Sequence, residues 1–266
     1  MRNSAQGVIT SIPLTLPKLD QQQLIAAKLK AQLAEADKAR QAAQTQLVEL
    51  NRLKTRALRS IFSHVDNQQP ISTVAKLQSG YAFKSETFKC KGVRLLRNAN
   101  ILPGKVYWDD AVYLSEADAK EHPNFVLRDG DVLISLDRPI ISSGIKVARV
   151  KAQDLPALLV QRVGRFFIIP NKLDADYLYA YLQTDLFIDA ISGHEQSVGV
   201  PHISQSQVES IHMPLPDLAT QKVLAEKAAT IMAEWQKAHT ALQAQLKDLA
   251  ILPQRILAQA FGEAQT

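Results

Sequence analysis

Three carboxylates, Asp129, Asp131 and Asp137, lie close together in the chain and are the natural place to look for a divalent metal. A nuclease site of that kind also wants an acid-x-lysine element, and none follows at a plausible distance. Strand alternation would put Asp131, Leu133 and Ser135 on one face, so these acids read as strand-end and turn residues. His194, His202 and His212 lack the spacing that places two ligands on one element. Cys90 stands between two lysines with no histidine or acid partner in sequence, and reads as structural. As the single cysteine it excludes a disulfide framework and an all-cysteine zinc site, and it fits a reducing cytoplasm. A methyltransferase needs a glycine-rich cofactor loop and an Asn/Asp-Pro-Pro-aromatic tetrad, and a P-loop enzyme needs Gly-x-x-x-x-Gly-Lys-Ser/Thr; the sequence has none of these. No catalytic residue, metal ligand or cofactor site is expected.

The remaining chemistry is charge. The 266 residues carry a formal net charge of +5, unevenly spread. Residues 1–65 hold a net +6, and residues 66–215 a net −1. Within that middle stretch, residues 107–131 are at −5, while residues 132–172 are at +5 through Arg138, Lys146, Arg149, Lys151, Arg162, Arg165 and Lys172. Such segregation suits a polyanion-facing surface and its opposite face, or equally a solvated surface of mixed charge. Hydrophobic residues at 46% and charged residues at 21% exclude a disordered or collagen-like chain. The length suggests about two domains. No apolar run reaches the roughly 18 residues of a membrane span, and the N-terminus has no apolar signal core, so a cytoplasmic protein with no membrane partner is expected.

The chain also repeats itself at an offset of 199 residues. Ile9-Thr-Ser-Ile12, Leu16-Pro17-Lys-Leu19 and Gln22 align with Val208-Glu-Ser-Ile211, Leu215-Pro216-Asp-Leu218 and Gln221, and the match runs ungapped to Phe62 and Phe261. Roughly a third of the aligned pairs are identical. Each copy reads as a short strand, a proline turn and a long helix. A heptad-like seam carries Leu29, Leu33, Leu47, Leu50 and Ile61 in the first copy, and Met232, Trp235, Leu242, Leu246, Leu249 and Ile256 in the second. A helix of some 42 residues would be about 63 Å long and cannot bury one seam in a small domain. Its simplest partner is its own repeat, antiparallel. Pro253 is expected to kink or break the second copy, and Arg40, Lys54 and His239 mark polar breaks in the seam.

From about Ile71 the period changes. Val93–Leu96, Val132–Ser135, Lys146–Val150, Leu158–Val160 and Arg165–Ile169 are short, apolar and bounded by turn residues, as strands are. Lys172–Ile191 reads as a helix. The fold class is therefore α+β: one mixed α/β domain flanked by two long helices that form an antiparallel coiled coil. The expected divisions are 1–19, 20–63, 66–216 and 217–262.

Gly80-Tyr-Ala-Phe-Lys-Ser85, Gly130-Asp-Val-Leu-Ile-Ser135, Gly144-Ile-Lys-Val-Ala148 and, above all, Val200-Pro-His-Ile-Ser-Gln-Ser-Gln-Val-Glu-Ser-Ile-His-Met-Pro-Leu-Pro-Asp-Leu218 followed by Gln221 resemble a target-recognition domain and adjoining helix of the specificity subunit of type I restriction-modification systems. The order of these motifs and the duplicated helix carry the resemblance across essentially the whole chain. The family pattern is domain, helix, domain, helix. Here residues 1–19 look like the remnant strand and turn of a missing first domain, as in a truncated subunit, an internal start or a natural half-subunit. The last of these implies a homodimer.

The resemblance implies a non-catalytic subunit that reads half of a bipartite target in double-stranded DNA and docks methyltransferase (modification) subunits on its coiled coil, with restriction subunits joining indirectly. S-adenosylmethionine, Mg2+ and ATP would belong to those partners. The alternative is a coiled-coil scaffold or decoy that assembles with modification subunits without reading DNA. If the domain reads duplex DNA, basic side chains hold phosphates and polar ones reach base edges. The candidates are Tyr81, Lys84 and Ser85 after a glycine turn; Arg97, Asn98 and Asn100 after a strand; Arg138, Ser142, Ser143 and Lys146; Arg162 and Arg165 around Gly164; and His194, Gln196 and Ser197 in a loop before the closing motif.

Overall fold

The computed structural model describes residues 16–192 and 202–262. The chain forms two compact units, Met1–Leu53 with Glu234–Thr266, and Lys54–Ala233. Their boundaries fall inside the two long helices, α1 (Leu19–Phe62) and α6 (Leu218–Gly262), not at the helix ends expected from sequence.

In the first unit the two helices run antiparallel. Trp235 on α6 donates its indole N–H to Asn51 Oδ1 on α1 at 3.0 Å. Leu33, Ala36, Asp37 and Arg40 share a cleft with Leu249, Ala250 and Pro253, so the partner number falls as the α1 number rises. The most buried residues of α1 here are Ala36 and Ala43, which lack bulk and let the backbones approach. Leu29, Leu33, Leu47 and Leu50, and Trp235, Leu242, Leu246, Leu249 and Ile256, are half-buried. The expected break at Pro253 does not occur: α6 runs through it for 45 residues. Proline removes one ladder bond, and here its ring lines the interhelical cleft. Arg40 pairs with Asp37 at 3.1 Å, and His239 stacks on Trp235 with ring centroids 4.7 Å apart.

The second unit holds the sheets. In chain order its strands are β1 (Gln68–Pro70), β2 (Ala75–Ser79), β3 (Val93–Leu96), β4 (Ile101–Leu102), β5 (Lys105–Val106), β6 (Val112–Leu114), β7 (Val132–Ser135), β8 (Ile140–Ile141), β9 (Gly144–Ile145), β10 (Val147–Arg149), β11 (Ala157–Leu159), β12 (Val163–Ile168) and β13 (His212–Pro214). Its short helices are α2 (Glu116–Lys120), α3 (Ala175–Tyr181), α4 (Asp185–Ser192) and α5 (Gln205–Ser210). One antiparallel sheet has the order β10-β7-β12-β2, and a second has the order β11-β3-β6. Strand β7 is buried on both faces. Val132 and Ile134 join the core under the helices, while Leu133 faces the second sheet with Leu96, Ala157 and Leu159. That is why its sequence is an unbroken apolar run and not an alternation.

The stretch expected to be one helix, Lys172–Ile191, is two, α3 and α4, with Leu182–Thr184 between them. Thr184 ends the first by donating its hydroxyl to Tyr181 O at 2.7 Å. Tyr177 and Tyr181 enclose Phe62 with centroids 5.2 and 5.6 Å away. Their hydroxyls donate to the carbonyls of Pro214 and His212 on β13. Ile61 and Met232 pack against this core as well. At the sheet edge, Gln205 donates to Leu77 O at 2.6 Å and Glu209 accepts from Leu77 N at 2.8 Å, so α5 covers the open backbone of β2.

Candidate nucleic-acid interface

Strands β2, β3, β7 and β11 all finish at one end of the second unit, and β12 begins there. The registers fix this: Ser79 and Ile134 both face Gly164, Ser135 faces Val163, and Leu96 faces Leu159. The loops at this end carry Tyr81, Arg97 to Asn100, Arg138 and Arg162. They are held together by backbone bonds from Tyr81 N to Leu159 O, from Val160 N to Leu96 O and from Leu136 N to Arg162 O. Gly80 is required here, because a Cβ on it would meet Val160 O at 2.3 Å.

At the centre of this rim sits Asp137. Its side chain is only 13% exposed, with Oδ2 3.1 Å from Arg162 Nη1 and Oδ1 3.2 Å from His202 Nδ1. The Ser135 hydroxyl is 2.6 Å from the Asp137 carbonyl and in reach of Asn98 Oδ1. Lys146, 7% exposed, donates to the same Asn98 oxygen at 2.5 Å. Burial lowers the Lys146 pKa from the ordinary lysine value, Asp137 partly offsets this, and Arg138 adds to the lowering. Arg162 and Lys146 thus act on one carboxylate, and Arg138 bears on Lys146. Both arginines have left-handed backbone, with φ of 47° and 66°, and among the described residues they alone do so without being glycine.

Beside the rim, Tyr81 is exposed and stacks with His122, Phe83 and Phe125 at 4.3, 4.9 and 5.4 Å. Lys84 and Ser85 are exposed on the next turn of the chain. Ser142 and Ser143 are exposed at the tip of the β8–β9 hairpin.

The structure corrects three of the expected contact residues. Arg165 is 4% exposed and engaged within the domain through both terminal nitrogens. It donates to Val126 O, Asp131 Oδ2, Gln78 Oε1 and Asn124 O, with Phe167 stacked 4.5 Å away. Asn100 is buried, bonded to Arg97 N and Tyr107 O, and shapes its own turn. Lys146 points inward to Asn98. Arg165 is turned inward by its place in β12, Asn100 by the tight turn it closes and Lys146 by its bond to Asn98, which a count of polar residues in loops does not reveal. Arg97 is half-buried and held by Asp110 at 2.8 Å, so it stands at the rim with its charge already paired. His194, Gln196, Ser197 and most of the N-terminal strand lie outside the described residues. Sequence reasoning missed Asp137 as the organising acid, His202 beside it and His122 beside Tyr81. The run from Ser135 to Arg138 at the end of an apolar strand is the one signal that could have found the first. No group of three or more His, Cys, Asp or Glu residues able to hold a metal occurs among the described residues, and no described helix is long and apolar enough to cross a membrane.

A family model for the type I restriction modification DNA specificity domain matches residues 69–248. The chain is 41% identical over 157 residues to the Type I restriction enzyme EcoAI specificity subunit of Escherichia coli, covering 59% of this chain and 26% of that protein. It is 35% identical over 161 residues to the MjaVIII specificity subunit of Methanocaldococcus jannaschii, covering 60% and 38%. It therefore spans well under half the length of these relatives. The fold is shared with a chain from a structural study of complex assembly and conformational transition of the type I R-M system, with a TM-score of 0.74 and 20% identity over 92% of this chain and 60% of that one. It is also shared with the HsdS subunit from Thermoanaerobacter tengcongensis, with a TM-score of 0.58 and 21% identity over 92% and 59%.

Proposed function

This chain belongs to the type I restriction modification DNA specificity family, and from that premise we propose that it is a non-catalytic DNA-reading subunit whose recognition domain reads one half of a bipartite duplex target. The observation that carries this reading is the rim at the end of the sheets, where the exposed Arg138 and Arg162 outnumber Asp137. Exposed polar groups at Lys84, Ser85, Ser142 and Ser143 stand on neighbouring turns. Excess positive charge attracts phosphate, and mixed polar tips reach base edges.

In this reading the antiparallel helices separate the half-sites and dock methyltransferase subunits. Those subunits supply methyl transfer with S-adenosylmethionine, while restriction subunits with Mg2+ and ATP join through them. We infer as well that two copies of the chain associate through the start of α1. In support, Leu16 and Leu19 at the start of α1 are 71% and 66% exposed, whereas their repeat equivalents Leu215 and Leu218 are half-buried. Sedimentation equilibrium tests this part: a mass near twice 29.4 kDa, lost on Leu19→Lys, supports a homodimer, and a monomer at every concentration removes it.

A salt titration of duplex binding tests the main reading. Each neutralised phosphate contributes a slope of about −0.9 in log K against log salt. A slope worth several phosphates together with preference for one sequence supports recognition. Absence of binding at any salt would leave the scaffold or decoy alternative. Methyl transfer by the pure chain would refute a non-catalytic role.

A further inference from the structure

We propose that Arg162 reads a guanine in the major groove and that Asp137 is the residue that positions it, an assignment that rests on the rim being the DNA interface.

The backbone is the first ground. A left-handed conformation is sterically unfavourable for a residue with a Cβ, and glycine or asparagine would occupy it more readily. Arg162 nevertheless stands at φ 66°, just before β12. Its carbonyl accepts from Leu136 N at 2.8 Å, which fixes the turn against the end of β7. Strain of this kind is kept where the side chain it aims is needed.

The second ground is the orientation of the guanidinium. Asp137 lies beneath it, and Asp137 is itself set by Ser135, whose hydroxyl accepts from Asp137 N at 3.3 Å. Ser135 in turn meets Asn98, which Lys146 holds from inside the domain. The chain of contacts therefore runs from a buried ammonium to a surface arginine. The Arg162 side chain remains 59% exposed, so the fork keeps donors that Asp137 does not take.

A phosphate contact needs none of this, because a flexible lysine serves as a point charge. A planar donor fork held in one orientation matches a planar pair of acceptors, and guanine O6 and N7 are that pair in the major groove. Adenine presents one donor and one acceptor there and would call for an amide side chain instead.

Binding of the full chain to a randomised duplex pool, followed by sequencing of the bound fraction, tests the proposal. The wild type is expected to select a motif containing a guanine on one strand. Arg162→Lys should lower the preference at that position by about tenfold or more, leaving the other positions and the overall affinity for unrelated DNA nearly unchanged. Asp137→Asn should blunt the same position and no other. Arg162→Gly should melt at a temperature equal to or above the wild type, because the backbone strain is relieved, and still lose the guanine; this variant guards against a loss caused by misfolding. Unchanged motifs in all three variants would overturn the proposal and leave the DNA-reading function standing. So would a loss spread evenly over all positions with a smaller salt slope, which marks a phosphate anchor only. A wild-type chain that binds DNA with no sequence preference would remove the function itself, and the assignment of Arg162 with it.

Discussion

Gln22 and Gln221, 199 positions apart, make the same bond: each side-chain amide donates to the carbonyl of the proline five residues before it, Pro17 at 2.7 Å and Pro216 at 2.8 Å. Their surroundings differ. Gln221 is buried, also donates to Lys172 O at 3.0 Å and accepts from Asp174 N at 2.9 Å, whereas Gln22 is half-buried and, among the described residues, its side chain has the proline bond alone. Removing the Gln221 side chain therefore leaves Asp174 N, Lys172 O and Pro216 O without this partner. Gln221→Ala should destabilise the second unit by about 2 kcal/mol or more, and Gln22→Ala by about 0.5 kcal/mol or less in a dilute, monomeric chain. Urea unfolding of the two variants side by side checks the difference; equal losses would mean that the two copies are covered alike.

Phe62 ends α1 in the aromatic pocket of Tyr177 and Tyr181. Phe62→Ala is expected to cost about 3–5 kcal/mol. Its equivalent, Phe261, is exposed, and Phe261→Ala should leave the unfolding midpoint nearly unmoved. A chemical denaturation series that found Phe261→Ala as costly as Phe62→Ala would contradict this packing.

Arg165 joins β12 to Gln78, Asn124, Val126 and Asp131. Arg165→Met leaves two backbone carbonyls, the Gln78 amide oxygen and the Asp131 carboxylate without this donor, and should lower stability by about 3 kcal/mol. The salt slope of DNA binding by the remaining folded protein should not change, since Arg165 does not reach the surface. A slope reduced by about one unit would instead make it a phosphate contact.

Asp217 caps α6, accepting from Thr220 N at 3.0 Å and from the Thr220 hydroxyl at 2.7 Å. These hydrogen bonds hold its carboxyl below the usual value. A carboxylate with a depressed folded pKa contributes its stabilisation in full above the unfolded value near 3.9, and loses it as pH falls through the folded value. Hydrogen exchange at the Thr220 amide should therefore gain protection from acid to neutral pH in the wild type. Asp217→Asn should abolish that particular dependence, and an unchanged profile in the variant would discount the cap.

Much of the fold is legible in the sequence because its signals are local. Val93–Leu96 and Val132–Ser135 are strands with those same bounds, and the proline turns precede helices at Leu19 and Leu218. The interface is less legible. Tyr81, Asn98, Arg138 and Arg162 do meet at one end of the sheets, but nothing in their spacing shows it. Asn98 reaches Lys146 across 48 positions, and Asp137 reaches Arg162 across 25. Such pairs depend on the register of β3, β7 and β12, which no short window contains.

By itself the sequence determined the duplicated helices, their apolar seam and the strand-rich domain between them, because apolar periodicity and turn residues act over a few positions at a time. Only the tertiary structure decided which polar residues face outward. Arg165, Asn100 and Lys146 turn inward and Arg162 stands at the surface on a left-handed backbone, because the side a residue presents is set by strand pairing and by partners far away in the chain. The unbroken course of α6 through Pro253 was likewise settled by long-range packing, since the ring lies in the cleft formed with Leu33 and Ala36 of the other helix.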